Sequence, residues 1–478
     1  MIPMLHTESA FPRPGATHAT VNQERRVLIE QLLESRGRSY VPFHLTFALR
    51  FEGQVDTDAI GRAMHYVAAI HPAVRSRISS VACGAETPSD ALARFGRSGT
   101  FTEGFLRQFV FPHVSQPTPV CKLTGQSPDE RAADLRELID CEIQKPFNYA
   151  SGPLYRHRLF DLGSSTFLLL VVIHHLVGDT WSLRLMRSDL LSAYEYFAAG
   201  GRGMEMRERV GFGAFADQQH RMLESNGFRA ALRYWREQWL EHQNYQVRCE
   251  DFARQSGEVI EDSDQNLITL DPDVVSAIRL CCVRQRVTPF TVLLAATTLG
   301  LKRSLERDRV AVRINFANRL SPHTKGVVGW ISNSHLIGFK ISDEVTPMAA
   351  LQDVRNRILE ATCHQELALP MLWNRWGHEL HPDERSISFE YMKKQAASVA
   401  KSPATSTVTP VAISGGLKQP ALRLFAIEEG ETIRLSLSFP AKTLGATSAM
   451  AFLRDVKRSV LDVVTRPHDK VGRLATLR

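Results

Sequence analysis

Residues 167–173, Phe-Leu-Leu-Leu-Val-Val-Ile, form the most apolar run of the chain, and they end directly on His174 and His175. The run is far shorter than the roughly 18 apolar residues a membrane-spanning helix needs. Its β-branched and aromatic content reads instead as a strand buried on both faces. A pair of imidazoles at the end of such a strand is held in fixed geometry, as a proton-transfer group requires. Asp179 follows four residues after His175. In a chain of 478 residues with 17 histidines, His-His with Asp at that spacing should arise only ~0.03 times by chance.

The elements around this run can be read from periodicity. A leader over 1–20 carries no pattern and is expected to be flexible. Helices are predicted from Asn22 to Leu33, Asp56 to Ile70 and Glu130 to Gln144, and a strand along Phe43, Leu45, Phe47, Leu49 and Phe51. Residues 80–130 read as a partly irregular excursion. After the double histidine, Leu183, Met186, Leu190, Tyr194 and Phe197 recur at helical spacing, with Asp179, Thr180 and Ser182 as possible N-caps and Gly200-Gly201 as the stop. This places His175 close to a helix N-terminus. A first lobe over 21–200 and a second over 201–478 are expected. The second holds helices around Ala230–Trp239 and Pro272–Gln285, and one opened by Thr288-Pro289. It also holds strands over Arg309–Ile314, Val327–Ile341, Leu422–Ile427 and Thr432–Phe439, and a last helix over Ser448–Val463. The Ala-, Ser- and Pro-rich stretch 395–416 reads as a mobile crossover outside the core.

Composition narrows the function classes. Hydrophobic residues make up 44% and charged residues 23%, the balance of a globular protein with a real core. No signal peptide and no membrane span are visible. Seven scattered cysteines fit a reducing compartment, so a cytoplasmic location is expected. The net charge of +7 is dispersed, without basic runs interleaved with aromatics, so nucleic acid is not an expected partner.

Neighbouring residues on an extended segment point to opposite faces, so His174 and His175 are poorly placed to share one ion, and no second His or Cys cluster completes a metal site. The same alternation sends one histidine toward a cavity and the other inward. Asp179 can orient an imidazole or neutralise a buried arginine. No Gly-x-Ser-x-Gly elbow supports a serine nucleophile.

His174-His175-Leu-Val-Gly-Asp179-Thr180 resembles the His-His-x-x-x-Asp-Gly motif of the condensation-domain superfamily of nonribosomal peptide synthesis. The likeness runs along most of the chain: His71 to Arg77, Pro146-Phe147 with Gly152-Pro153-Leu154, Phe215 to Gln218, Tyr234-Trp235, Asn318-Arg319, Gly329 to Asn333, and His364-Gln365-Glu366 are each similar to a family segment. The resemblance implies an α/β fold with mixed sheets, in two chloramphenicol-acetyltransferase-like lobes forming a V-shaped pseudo-dimer with a central tunnel. It implies that His175 is catalytic, as general base or nucleophile-positioning residue. His174, Asp179 and Arg319 then support the site, with Asp179 paired to Arg319, and Thr180, Trp181, Ser182, Gly329, Trp330, Asn333 and Ser334 line the tunnel.

The implied reaction moves an acyl group from the phosphopantetheine of an acyl or peptidyl carrier protein to an amine or hydroxyl acceptor, with no cofactor of the enzyme's own. A CoA-dependent acyltransferase and a non-catalytic carrier-docking platform are the alternatives. The chain shows no carrier motif and no adenylation segment, so a freestanding, monomeric enzyme working in trans is expected. Thr180 departs from the family pattern, standing where Gly is usual.

Overall fold

The computed structural model describes residues 16–37, 43–80, 88–98, 104–112, 117–207, 209–222, 225–256, 266–376, 386–394, 400–401, 406–411, 413, 422–439 and 443–476. It divides into two compact units. The first comprises 1–228 with two returning segments, 317–332 and 397–418; the second comprises 229–316, 333–396 and 419–478. The boundary therefore lies near 228 rather than at the glycines after residue 199. Moreover, the first unit is not a continuous stretch of sequence, which hydrophobic periodicity has no means to show.

The core of the first unit is a six-stranded sheet in the order Ala400–Lys401, Ser406–Val411, His44–Gly53, Thr166–His174, Tyr155–Gly163 and Val120–Lys122. All neighbours are antiparallel except the last pair. The apolar run occupies an inner position, and Leu168 to His174 are all buried, as a strand covered on both faces requires. Its register is fixed residue by residue, from Phe51 opposite Phe167 to His44 opposite His174. The helices Thr57–Ile70 and Thr180–Ala198 pack against each other. The first of these buries Ile60, Met64, Val67 and Ala68 at helical spacing and is capped by the Asp56 side chain, which accepts from Ala59 N–H at 2.9 Å.

Two expectations for this unit are corrected, and the partly irregular excursion gains defined elements. The leader is not featureless to residue 20: Thr17–His18 pairs with Leu106–Val110, and Thr20 caps the helix Val21–Ser35 in a reciprocal capping box with Gln23; residues 1–15 lie outside the described set. The excursion 80–130 contains the helix Pro88–Ser98 and the strands Leu106–Val110 and Val120–Lys122. The stretch 395–416 is not merely a crossover, because Ser406–Val411 pairs along His44–Gly53 and buries Ser406 and Val408. Its Thr-Val-Thr-Pro-Val pattern has β propensity, but its short length and Pro410 masked it; an edge-side position tolerates the proline.

The second unit also holds a six-stranded sheet, ordered Asn333–Lys340, Arg309–Phe316, Ser388–Lys394, Arg423–Glu429, Thr432–Ser438 and Leu267–Leu270. Ser388–Lys394 runs parallel to both of its neighbours. The helix Pro289–Leu305 is buried from Thr291 to Lys302 and packs on Ala446–Thr465. Gly300 permits the close approach, since a Cβ there would lie 2.9 Å from a Val456 methyl. The strand read over Val327–Ile341 begins only at Asn333; residues 327–332 are loop and belong to the first unit.

Candidate active site

The buried strand delivers its two histidines to different surroundings. His174 is the last strand residue and is 2% exposed. His175 opens a short 3-10 turn, His175–Val177, and is half-buried. Its backbone N–H donates to Phe43 O at 2.8 Å, extending the sheet ladder one residue past the strand. The imidazole of His175 stacks on the Phe43 ring, with centroids 4.2 Å apart and planes within 8°, and Trp330 leans over it at 4.8 Å and 57°. Phe43 and Trp330 also meet each other at 5.3 Å. The three ring centroids thus form a compact triangle, in which Phe43 covers one face of a partly exposed imidazole and Trp330 is tilted beside both rings.

His174 is held differently. Its Nδ1 accepts the Leu176 N–H at 3.1 Å, which leaves Nε2 as the protonated nitrogen of the neutral ring. Nε2 lies 3.9 Å from Glu30 Oε1. Burial drives the His174 pKa well below its ordinary value, assisted by the positive charge of nearby groups. His44, directly opposite, donates from Nδ1 to Ile143 O at 2.7 Å and is brought down by burial to about 4. Both rings are therefore neutral at pH 7.

Asp179 is the N-cap of Thr180–Ala198 and accepts Ser182 N–H at 2.9 Å. The same carboxylate receives Arg319 Nη2 at 2.9 and 3.1 Å and the backbone N–H groups of Ile331 and Ser332 at 3.2 and 3.1 Å. Both side chains are almost wholly buried, at 3% and 1% exposure for Asp179 and Arg319. Arg319 Nη1 donates to Thr324 O and Val327 O at 2.6 and 2.7 Å. Ser182 accepts Gly329 N–H at 3.1 Å, and its own proton serves either Asp179 Oδ1 at 2.8 Å or Gly329 O at 3.0 Å. One carboxylate thus caps the helix, neutralises a guanidinium and pins the loop 317–332, which carries Trp330. Asn318, in the left-handed region at φ 53° that asparagine tolerates, starts the loop and donates to Ile331 O at 3.1 Å. Gly329 is required sterically: a Cβ there would sit 2.2 Å from the Phe212 ring.

The remaining tunnel candidates are distributed unevenly. Trp181 donates from its indole to Lys325 O at 2.9 Å and so ties the helix start to the same loop. Thr180 is exposed at the first helical position and makes no part of the Asp179 network. Asn333 and Ser334 belong to the second unit, where Asn333 Nδ2 donates to Gln365 O at 2.8 Å. Sequence reasoning missed Phe43 as a partner of His175, and it missed the pair Arg26 and Glu30 behind the histidines. Phe43 had a signal, since it stands in phase with the alternating strand; the i,i+4 spacing of Arg26 and Glu30 was a weaker one. Among the described residues, no three His, Cys, Asp or Glu side chains gather as metal ligands, and no helix is long and apolar enough to cross a membrane.

The structure thus brings together a partly exposed histidine at a strand end and a buried Asp–Arg pair that pins the loop carrying Trp330. The family model for the condensation domain matches residues 100–478, and the chain belongs to that family. It is 26% identical over 377 residues to chondramide synthase cmdD of Chondromyces crocatus, covering 79% of this chain and 9% of that one. It is also 26% identical over 370 residues to phosphinothricin tripeptide synthetase PhsC of Streptomyces viridochromogenes, covering 76% of this chain and 32% of the other. The chain thus spans less than a third of either relative. The condensation domain of the monacolin K polyketide synthase MokA superposes with a TM-score of 0.73 at 18% identity, over 96% of this chain and 99% of that one. The X-domain from teicoplanin biosynthesis does so with 0.71 at 17% identity, over 98% and 99%. These likenesses establish the fold.

Proposed function

We propose that the chain transfers an acyl group from the phosphopantetheine thioester of a carrier protein to an amine or hydroxyl acceptor, forming an amide or ester. The observation that carries this reading is the setting of His175, a partly exposed imidazole stacked on Phe43 with Trp330 tilted beside both rings, while its neighbour His174 is buried. A thioester is already activated, so the enzyme has to align the acceptor and manage one proton. His175 takes or steers the proton of the attacking amine or hydroxyl, a role worth typically 10²–10⁴-fold. The departing thiolate then recovers a proton as the tetrahedral adduct collapses. Alignment of donor and acceptor supplies much of the remaining acceleration.

His174, Asp179 and Arg319 act on this reading as supports. Asp179 is committed to Arg319 and three backbone N–H groups, so both of its oxygens are engaged in holding the loop and the helix start. Thr180 stands outside that network, so replacing the usual glycine leaves the brace intact.

The test is intact-protein mass spectrometry of an acyl-loaded carrier protein incubated with the protein and a panel of amines and alcohols. Wild type and His175→Ala are run side by side. Loss of the acyl group from the carrier with a matching new product, abolished in the variant, is the expected result. Binding of the loaded carrier without consumption would make the protein a docking platform. Consumption of acyl-CoA alone would make it a CoA-dependent acyltransferase.

A further inference from the structure

Behind the double histidine lies an ion pair separate from the Asp179–Arg319 network. Arg26 and Glu30 sit one turn apart on the helix Val21–Ser35, with Arg26 Nε 2.6 Å from Glu30 Oε1. Glu30 is 1% exposed and Arg26 19%. A pair this deeply placed contributes little net stability, because desolvation offsets most of the attraction; apolar residues of similar size would serve the fold as well. Its position is what distinguishes it. Glu30 Oε1 is the carboxylate oxygen 3.9 Å from His174 Nε2. The Arg26 guanidinium lies 4.3 Å from the centroid of Phe43, the ring on which His175 stacks at 4.2 Å. Each member of the pair therefore adjoins the setting of one histidine. Both residues fall outside the stretch 100–478 that matches the family.

We propose that Arg26 and Glu30 are the positioning pair of the double histidine: Glu30 anchors Arg26 beside His174, and Arg26 holds the Phe43 ring flat against the His175 imidazole. The inference rests on the proposed role of His175. Planarity explains the choice of arginine, since a guanidinium covers an aromatic face as a lysine ammonium does not. Neither residue touches the reacting atoms. The pair acts by fixing the ring on which the reacting imidazole rests, and misplacing that imidazole by an ångström can lower turnover by up to about 10²-fold.

The experiment compares wild type with Arg26→Met/Glu30→Met, which removes both charges together, and with Arg26→Lys, which keeps a cation but loses the planar group. The readouts are kcat and KM with acyl-loaded carrier protein and, independently, the ring ¹³C–¹H resonances of His175 in the histidine-labelled full chain, assigned through His175→Gln. Stacking on Phe43 shifts those resonances upfield. The expected result for the double variant is a downfield move of the His175 signals and a fall in kcat of about tenfold at nearly constant KM. Arg26→Lys should show the same changes to a smaller extent. His175 signals and kcat that match wild type in a folded double variant would overturn the proposal. If the double variant does not fold, Arg26→Lys decides on the same two readouts. If wild type turns over no acyl donor, the functional reading fails, while the resonances still decide whether the pair positions the ring.

Discussion

Arg319 Nη2 lies 2.9 Å from Asp179 Oδ1, across 140 residues of sequence and with both side chains almost wholly buried. The contact joins the start of the helix after the double histidine to the loop that carries Trp330. Removing one partner leaves an uncompensated buried charge, which typically costs about 3–5 kcal/mol. Arg319→Ala should therefore lower the denaturation midpoint sharply and abolish turnover. Asp179→Asn keeps the shape but strands the buried Arg319 guanidinium and turns an amide NH2 toward N–H donors, so it should cost a comparable amount. Equilibrium urea unfolding of the two variants checks both values.

His175→Ala should behave in the opposite way. The side chain is half-buried and outside the Asp179 network, so the melting temperature should stay within a few degrees of wild type. Turnover should fall about 10²–10⁴-fold. A calorimetric scan and the mass-spectrometric assay on one preparation separate the two effects.

Acid should destabilise the first unit before it protonates most carboxylates. His44 and His157 are lowered to about 4 and His174 well below 6.5, in each case chiefly by burial. Below the unfolded value of 6.5 the unfolded chain binds these protons and the folded chain does not. Stability contributed by the neutral rings is thus fully present above pH 6.5 and is lost as pH falls toward 4. Each such group adds up to about 1.4 kcal/mol per pH unit to the slope. His157→Gln should flatten the dependence of the urea midpoint on pH between these limits.

Gly329→Ala tests the fit of the Trp330 loop. The added methyl would meet the Phe212 ring, so either the ring or the loop must move. Overpacking of this kind costs about 1–3 kcal/mol. Turnover should fall together with stability, and the His175 ring resonances should move.

Thr180→Gly should leave the Asp179–Arg319 pair intact and cost under about 1 kcal/mol at the helix start. Competition between short and long acyl donors, scored by product mass, is expected to broaden toward the longer ones.

The histidine strand was legible because burial on both faces leaves an uninterrupted apolar run, and His174, His175 and Asp179 follow it within a few residues. Residues 317–332 were legible only in part. The resemblance pointed to Arg319, but no periodicity reveals that the loop leaves the second unit for the first. Arg26 and Glu30 escaped because a polar i,i+4 pair on a helix normally faces water, and only the packed structure shows this one turned inward. The strand Ser406–Val411 escaped for a related reason: its pairing partner stands more than 350 residues earlier, and a short segment's pattern carries no information about so distant a neighbour.

That strand has a consequence for how the chain is made. His44–Gly53 is flanked in the finished sheet by Thr166–His174 on one side and Ser406–Val411 on the other. A ribosome that has released residues 1–228 has delivered a sheet with one flank bare and an Asp179 whose cation does not yet exist. Bare strand flanks recruit other chains, and domains normally close in the order of synthesis. Here the first unit has to wait for residues 317–332 and 397–418, so a cut near residue 228 would leave that unit without the cation of Asp179 and without a flanking strand.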